Sequence, residues 1–252
     1  MSNAFFIDTH CHLGHMPYSE TIIHDMKQHH VSKIILPAIH LADSKNNIEL
    51  AKKFSCCAVA VGIHPQYAMH PFPYDDFLTL VSKKEVWAIG EIGLDDSISI
   101  PYEIQEENFI IQLDIAKQFH KPVLIHSRHY FGKLLEIIQK FLPFPESGIL
   151  HSYSGSYELA KQLPFYIGVS GAITHPKAIK RRHILQQFSL NRIVLETDSP
   201  YISTNTIQHT TPSQIPEIAE TVAMLYNTNI ENIATITTNN ALNIFNHWLE
   251  CV

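Results

Sequence analysis

The 252-residue chain is poor in cysteine, with only Cys11, Cys56, Cys57 and Cys251. Their spacing fits neither a disulfide framework nor a CxxC metal site, so reduced thiols in a cytoplasmic protein are expected. Long apolar runs are also lacking. CCAVAVGI (56–63) is among the longest and is far too short to span a membrane. No basic stretch precedes an apolar one at the N-terminus, which argues against a secretory signal. Positive charge is not in excess. The formal net charge of −6 argues against a broad basic face and tight non-specific duplex binding. It leaves open a nucleic acid held at its phosphates through metals. Repeats, low-complexity tracts and linkers are missing, so residues 1–252 read as one domain, expected to act as a monomer.

The usual nucleophiles are missing as well. No serine sits in a GxSxG elbow, and no cysteine pairs with a histidine at a strand end. What the chain has in quantity is histidine, 17 in all. Most, such as His24, His29, His70 and His183, fall where helix or loop is expected and read as solvated or half-buried polar groups.

Eight strand-like runs rich in Val, Ile and Phe set the architecture. They are 4–12, 33–39, 57–63, 86–94, 122–127, 148–153, 165–171 and 192–198. Helix-period segments lie between most of them, at 21–29, 48–54, 105–119, 130–142 and 176–188, with Pro176 suited to a first turn. Two more, 215–227 and 231–249, follow the last strand. Strands alternating with helices imply a parallel sheet, and the number eight favours an α/β fold of the (β/α)8 TIM-barrel type. An open doubly wound sheet is the structural rival.

The remaining histidines share a position with two acids. His10, His12, His64, Glu91, His126, His151 and Asp198 all fall at or just past the C-terminal end of an expected strand. In a barrel those ends converge on one face, where active sites form. In FIDTHCH (6–12) the alternation puts Asp8, His10 and His12 on one side. Three inward polar groups in a row are costly unless something binds them. Two imidazoles at that spacing can hold one divalent cation, with Asp8 behind them as an orienting carboxylate or as a buried acid paired to a base. In GEIGLD (90–95), Gly90 and Gly93 allow close backbone approach around Glu91, which can bridge two metals or cap a helix. His126 in LIHSR and His151 in LHSYSG suit a second metal or a hydrogen-bonded core position. Asp198 in ETDSPY (196–201) closes the eighth strand beside the first, where it can ligate a cation and take a proton from water. Glu196 points inward by parity with it, to orient a ligand or form a buried pair.

With these residues assembled, the chain resembles the TatD family of metal-dependent DNases, within the amidohydrolase-like barrel superfamily. The likeness runs through FIDTHCH, VGIHP, GEIGLD, IHSR, HSYSG and ETDSPY, nearly the whole chain. It implies a (β/α)8 barrel with two divalent cations, Zn²⁺, Mg²⁺ or Mn²⁺. His10, His12 and Asp198 would hold one, His126 and His151 the other, and Glu91 would bridge them. His64 would contact a substrate phosphate, and Arg128 is a second candidate to steady negative charge. No strand-end lysine offers a carbamylated bridge, and Glu91 takes that place. One departure stands out: where the family usually carries Arg-Asn-x-Pro after ETDSPY, this chain reads STNTIQHTTPSQIP (203–216), with Thr210 and Thr211 ahead of Pro212.

The resemblance implies two-metal hydrolysis, with Asp198, Glu91 and His64 as the catalytic group. The leading expectation is a 3′ to 5′ exonuclease on single-stranded DNA. Tyr67, Phe72 and Tyr74 are base-stacking candidates, although packing of their loop is the more economical reading. Hydrolysis of an ester or amide, such as D-aminoacyl-tRNA, is the alternative. A metal-binding module without turnover is the third.

Overall fold

The computed structural model describes residues 5–144 and 147–246. Residue 4 of the first expected strand and residues 247–249 of the last expected helix lie outside that range, as do His247 and Cys251. The strands are β1 (Phe6–Asp8), β2 (Val31–Pro37), β3 (Cys57–Val61), β4 (Val86–Asp95), β5 (Val123–Arg128), β6 (Gly148–Leu150), β7 (Tyr166–Val169) and β8 (Ile193–Leu195). The helices are α1 (Ser19–Gln28), α2 (Leu41–Lys53), α3 (Tyr74–Val81), α4 (Tyr102–Gln118) and α5 (Phe131–Phe141). They continue with α6 (Tyr157–Ala160), α7 (Ile179–Leu185), α8 (Ile215–Leu225) and α9 (Ile230–Ile244). The sheet has eight strands in the order β1 to β8, alternating with helices, which is the α/β topology of a (β/α)8 barrel. Among the described residues no helix is long and apolar enough to cross a membrane.

Six expected strands end early, β2, β3 and β7 by two residues and β1, β6 and β8 by three or more. β1 stops at Asp8 rather than residue 12, β6 at Leu150, and β8 at Leu195 rather than residue 198. The residues beyond them leave the regular ladder: the amide of His12 turns to Ser199 O at 2.8 Å, and Asp198 has φ 55°. Apolar strand and polar tail alternate alike in sequence, so the pattern alone runs them together. α2 begins at Leu41 rather than 48, because His40 caps it through Nδ1, which accepts the Asp43 amide at 3.0 Å. The expected loop at 66–77 contains most of a Pro65–Tyr67 turn and the start of α3. Phe77, Leu80 and Val81 supply the buried face of α3, and Phe72 packs edge-on against Phe77 at 5.3 Å. Tyr67 likewise sits edge-on to His40 at 4.8 Å, as loop packing requires. Pro176 precedes α7 instead of entering it.

The chain divides into two compact units, Met1–Leu36 with Tyr166–Val252, and Pro37–Phe165. In the first, α8 and α9 cover β1 and β8. Asn240 of α9 donates to the Leu190 and Ile193 carbonyls at 2.8 and 2.7 Å, fixing the entry to β8. In the second, α4 packs on β4 with an inward face that is only partly apolar. Phe109 and Leu113 are joined there by the buried amides Gln105, Asn108 and Gln112. Each amide pairs with one residue on both of its main-chain groups. Gln105 accepts from Asp95 N at 2.9 Å and donates to Asp95 O at 3.0 Å. Asn108 does the same for Met69 at 3.1 and 2.7 Å. Gln112 does so for Ile63 at 2.7 and 3.1 Å, immediately before His64.

This predicts that Gln112→Leu, which keeps the bulk and strands both Ile63 groups, costs about 3 kcal/mol of stability. Urea unfolding should show a lower midpoint at unchanged slope; an unchanged midpoint would refute the bracing role.

Candidate metal centre

In the first unit the segments following β1 and β8 lie side by side. Thr9 N donates to Leu195 O at 3.0 Å, Asp198 N to His10 O at 2.8 Å, and His12 N to Ser199 O at 2.8 Å. That lacing brings His10, His12 and Asp198 together, as their positions in sequence led us to expect. His10 Nε2 and His12 Nε2 are 3.2 Å apart. Asp198 Oδ1 lies 3.7 Å from His10 Nε2 and 3.4 Å from His12 Nε2. All three residues are buried. Ligands bonded at about 2.0–2.1 Å around a tetrahedral ion are themselves about 3.4 Å apart, so this donor triangle has the size that one cation requires.

Asp8 orients the triangle without joining it. Its Oδ1 accepts from His10 N at 3.1 Å and Thr197 N at 2.9 Å, and its Oδ2 accepts from Thr197 Oγ1 at 2.6 Å. One buried carboxyl therefore fixes the main chain on both sides of the donors. Burial pushes it up to about 7, against the three hydrogen bonds that favour its charged form. Glu196, equally buried, lies over β7, where the carboxylate occupies the space a Cβ on Gly168 would need, 2.4 Å away.

The second unit carries its own cluster, with Glu91 within β4, His126 within β5, and His64 and His151 just past β3 and β6. Glu91 Oε1 is its hub, 2.9 Å from His126 Nδ1, 3.9 Å from His64 Nε2 and 4.0 Å from His151 Nε2. The glycines of GEIGLD allow this crowding. A Cβ on Gly90 would stand 2.6 Å from the Cβ of Leu124. Gly93 has φ 147°, and a Cβ there would strike His126 O at 1.9 Å. His126 faces carboxylates on both nitrogens, with Asp95 Oδ2 at 3.1 Å from Nε2. Burial alone would lower its pKa, but Asp95 and Glu91 outweigh that and raise it to about 9. Asp95 is held well below the usual carboxylate range: burial opposes this, and the bonds from His126 and Ser97 prevail. Carboxylates and imidazoles converging on one point suit a divalent cation, which would take the place of the His126 proton.

His64 behaves differently from the others. Its Nδ1 accepts from Gln66 N at 3.1 Å, so the neutral ring carries its proton on Nε2. That nitrogen is a donor, better suited to an anionic oxygen than to a cation, although His64 lies within reach of Glu91 and His126. Arg128 ends β5 as an exposed side chain and belongs to neither cluster.

Two contributors escaped the sequence reading. Asp95 shares strand parity with Glu91 and Gly93 on β4, the signal that singled out Asp8, His10 and His12. Thr197 sits between two acids and reads as a spacer, yet it holds Asp8. Thr197→Val is expected to lower cation affinity by about 10–100-fold, while Thr197→Ser retains it. Calorimetric titration of metal-stripped protein would measure this, and equal affinities for wild type and Thr197→Val would refute it.

A family model described as TatD related DNase matches residues 7–246. The uncharacterized metal-dependent hydrolase YjjV of Escherichia coli K12 is 33% identical over 254 residues, covering 96% of this chain and 98% of that protein. A crystal structure of the YjjV TatD homolog superposes with a TM-score of 0.88 at 32% identity, covering 97% of this chain and 99% of that one. The 3′-5′ ssDNA/RNA exonuclease TatD of Salmonella typhimurium is 28% identical over 229 residues, covering 85% of this chain and 88% of that protein.

Proposed function

Because the chain belongs to the TatD-related DNase family, whose members are metal-dependent hydrolases, we propose that it is a 3′ to 5′ exonuclease on single-stranded DNA. The observation that carries this reading is the triangle of His10, His12 and Asp198, three buried donor atoms spaced for one cation. The relative from Salmonella typhimurium, a 3′-5′ ssDNA/RNA exonuclease by name, favours a nucleic-acid strand over other esters.

His10, His12 and Asp198 would hold one divalent cation, and Glu91, His126 and His151 would hold a second. When bound, such cations lower the pKa of a coordinated water toward about 7 and polarise phosphoryl oxygens. The chain's own groups do the rest. Asp198 accepts the proton of the attacking water. His64 donates from Nε2 to a non-bridging oxygen of the scissile phosphate, since its Nδ1 is occupied by the Gln66 amide. Arg128, exposed at the end of β5, meets a phosphate further along the strand. Asp8 and Thr197 keep the two donor segments in register.

Metal-stripped protein reloaded with Mg²⁺, Mn²⁺ or Zn²⁺ should shorten a 5′-labelled single-stranded DNA from its 3′ end. Glu91→Ala should reduce the rate by at least about 100-fold. A protein that holds metal yet cuts no DNA with any of the three would refute the nuclease reading. It would direct attention to carbonyl esters such as D-aminoacyl-tRNA.

A further inference from the structure

Tyr201 is 60% exposed, yet its ring is tied down on every side that touches protein. Its hydroxyl meets His15 Nδ1 at 2.6 Å. Its ring stands at 73° to that of His12, with centroids 5.1 Å apart. Its main-chain amide donates to Asp198 O at 2.8 Å. His15 in turn stacks on His12 at 5.2 Å and 11°. A large aromatic surface is thus held open to water in one orientation, in contact with one of the donors assigned above to a cation. Its polar end is engaged by His15, so the ring itself is what it presents.

We propose that Tyr201, braced by His15, is the stacking platform for the terminal base of a nucleic-acid 3′ end. The proposal rests on the nuclease reading and names the part of the substrate bound beside the His10, His12 and Asp198 triangle. A phosphate placed at that triangle has its base one sugar away, the reach from His12 to the neighbouring Tyr201 ring. Every base has a π-face, so such a platform grips the strand without reading sequence. An unbraced tyrosine would lose side-chain freedom on binding, whereas this one is already ordered. The other exposed tyrosines lack this setting. Tyr18 immediately precedes α1, Tyr67 packs on His40, and Tyr74 opens α3.

The test uses metal-loaded protein and a single-stranded DNA carrying 2-aminopurine at its 3′ end, joined through a phosphorothioate so that binding is read without cleavage. Stacking should quench the 2-aminopurine, and a base-bearing end should bind about tenfold more tightly than an abasic end. Tyr201→Ala should lose the quench and bring the ratio of the two affinities close to one. Tyr201→Phe keeps the ring without the His15 brace and should retain the quench, with a smaller ratio of affinities. Equal quenching by wild type and Tyr201→Ala would overturn the platform, as would loss of quenching in Tyr201→Phe, which would assign the effect to the hydroxyl. DNA that quenches but, with an ordinary phosphodiester, is never cut would refute the nuclease reading and uphold the platform. DNA that is cut without quenching would refute the platform alone.

Discussion

A parallel strand that stops pairing inside a protein leaves peptide groups that must still be satisfied. This constraint bears on the first unit's candidate metal donors, because the segments that follow β1 and β8 carry His10, His12 and Asp198. In the first unit the Asp8 carboxyl accepts from the amides of His10 and Thr197 and from the Thr197 hydroxyl. In the second, Gln105 and Gln112 pair both main-chain groups of Asp95 and Ile63. A side chain supplies in each case what a neighbouring strand would have supplied further down. The donors of the first unit therefore stand on irregular backbone, whereas Glu91 and His126 stand within β4 and β5.

The second unit concentrates charge where water is scarce. His126 between Glu91 and Asp95 shows the consequence: burial disfavours the cation, yet two carboxylates hold it, so the imidazole stays protonated to about 9. The histidine compensates for the carboxylates until a stronger positive charge does so. Asp8 is held by neutral donors instead, the amides of His10 and Thr197 and the Thr197 hydroxyl. Its hydrogen bonds oppose the burial that lifts its carboxyl, and the result near 7 is a balance of the two. A divalent cation in the neighbouring triangle acts in the same direction as those hydrogen bonds, favouring the charged carboxylate.

The alternation of apolar runs with helical segments made the (β/α)8 topology legible, and the placement of histidines at strand ends made both donor sets legible. What escaped detection has physical reasons. Strand limits blurred because Thr9 through His12 and Glu196 through Asp198 continue the alternation after regular pairing stops. α3 went unseen behind Pro71 and Pro73, where a cluster of turn-forming residues masks a helix that begins at Tyr74. The polar face of α4 was invisible as such, because Gln105, Asn108 and Gln112 occupy positions that in most helices would be apolar or in solvent. Thr197 draws no attention by residue type, and its role exists only once Asp8 is brought to it from the other end of the chain.

The departure from the family pattern after ETDSPY takes on a meaning in this setting. Thr210 and Thr211 stand where arginine and asparagine are usual, and neither is aimed outward. Thr210 is buried and donates to Ile202 O at 2.7 Å. Thr211 closes on Gln214, whose Oε1 accepts its amide at 2.6 Å, and so caps the turn before α8. Nearby, Thr204 and Thr206 both donate to Glu217 Oε2, at 2.8 and 2.7 Å. These four threonines are spent on holding the loop's own shape. Whatever a cation there would contribute to gripping a substrate must come from elsewhere in the chain. Beside the first unit's donors, the braced ring of Tyr201 stays open to water. Ring stacking and hydrogen bonding depend less on salt than phosphate contacts do. For a chain of net charge −6, a grip of that kind suits the end of a strand better than its length.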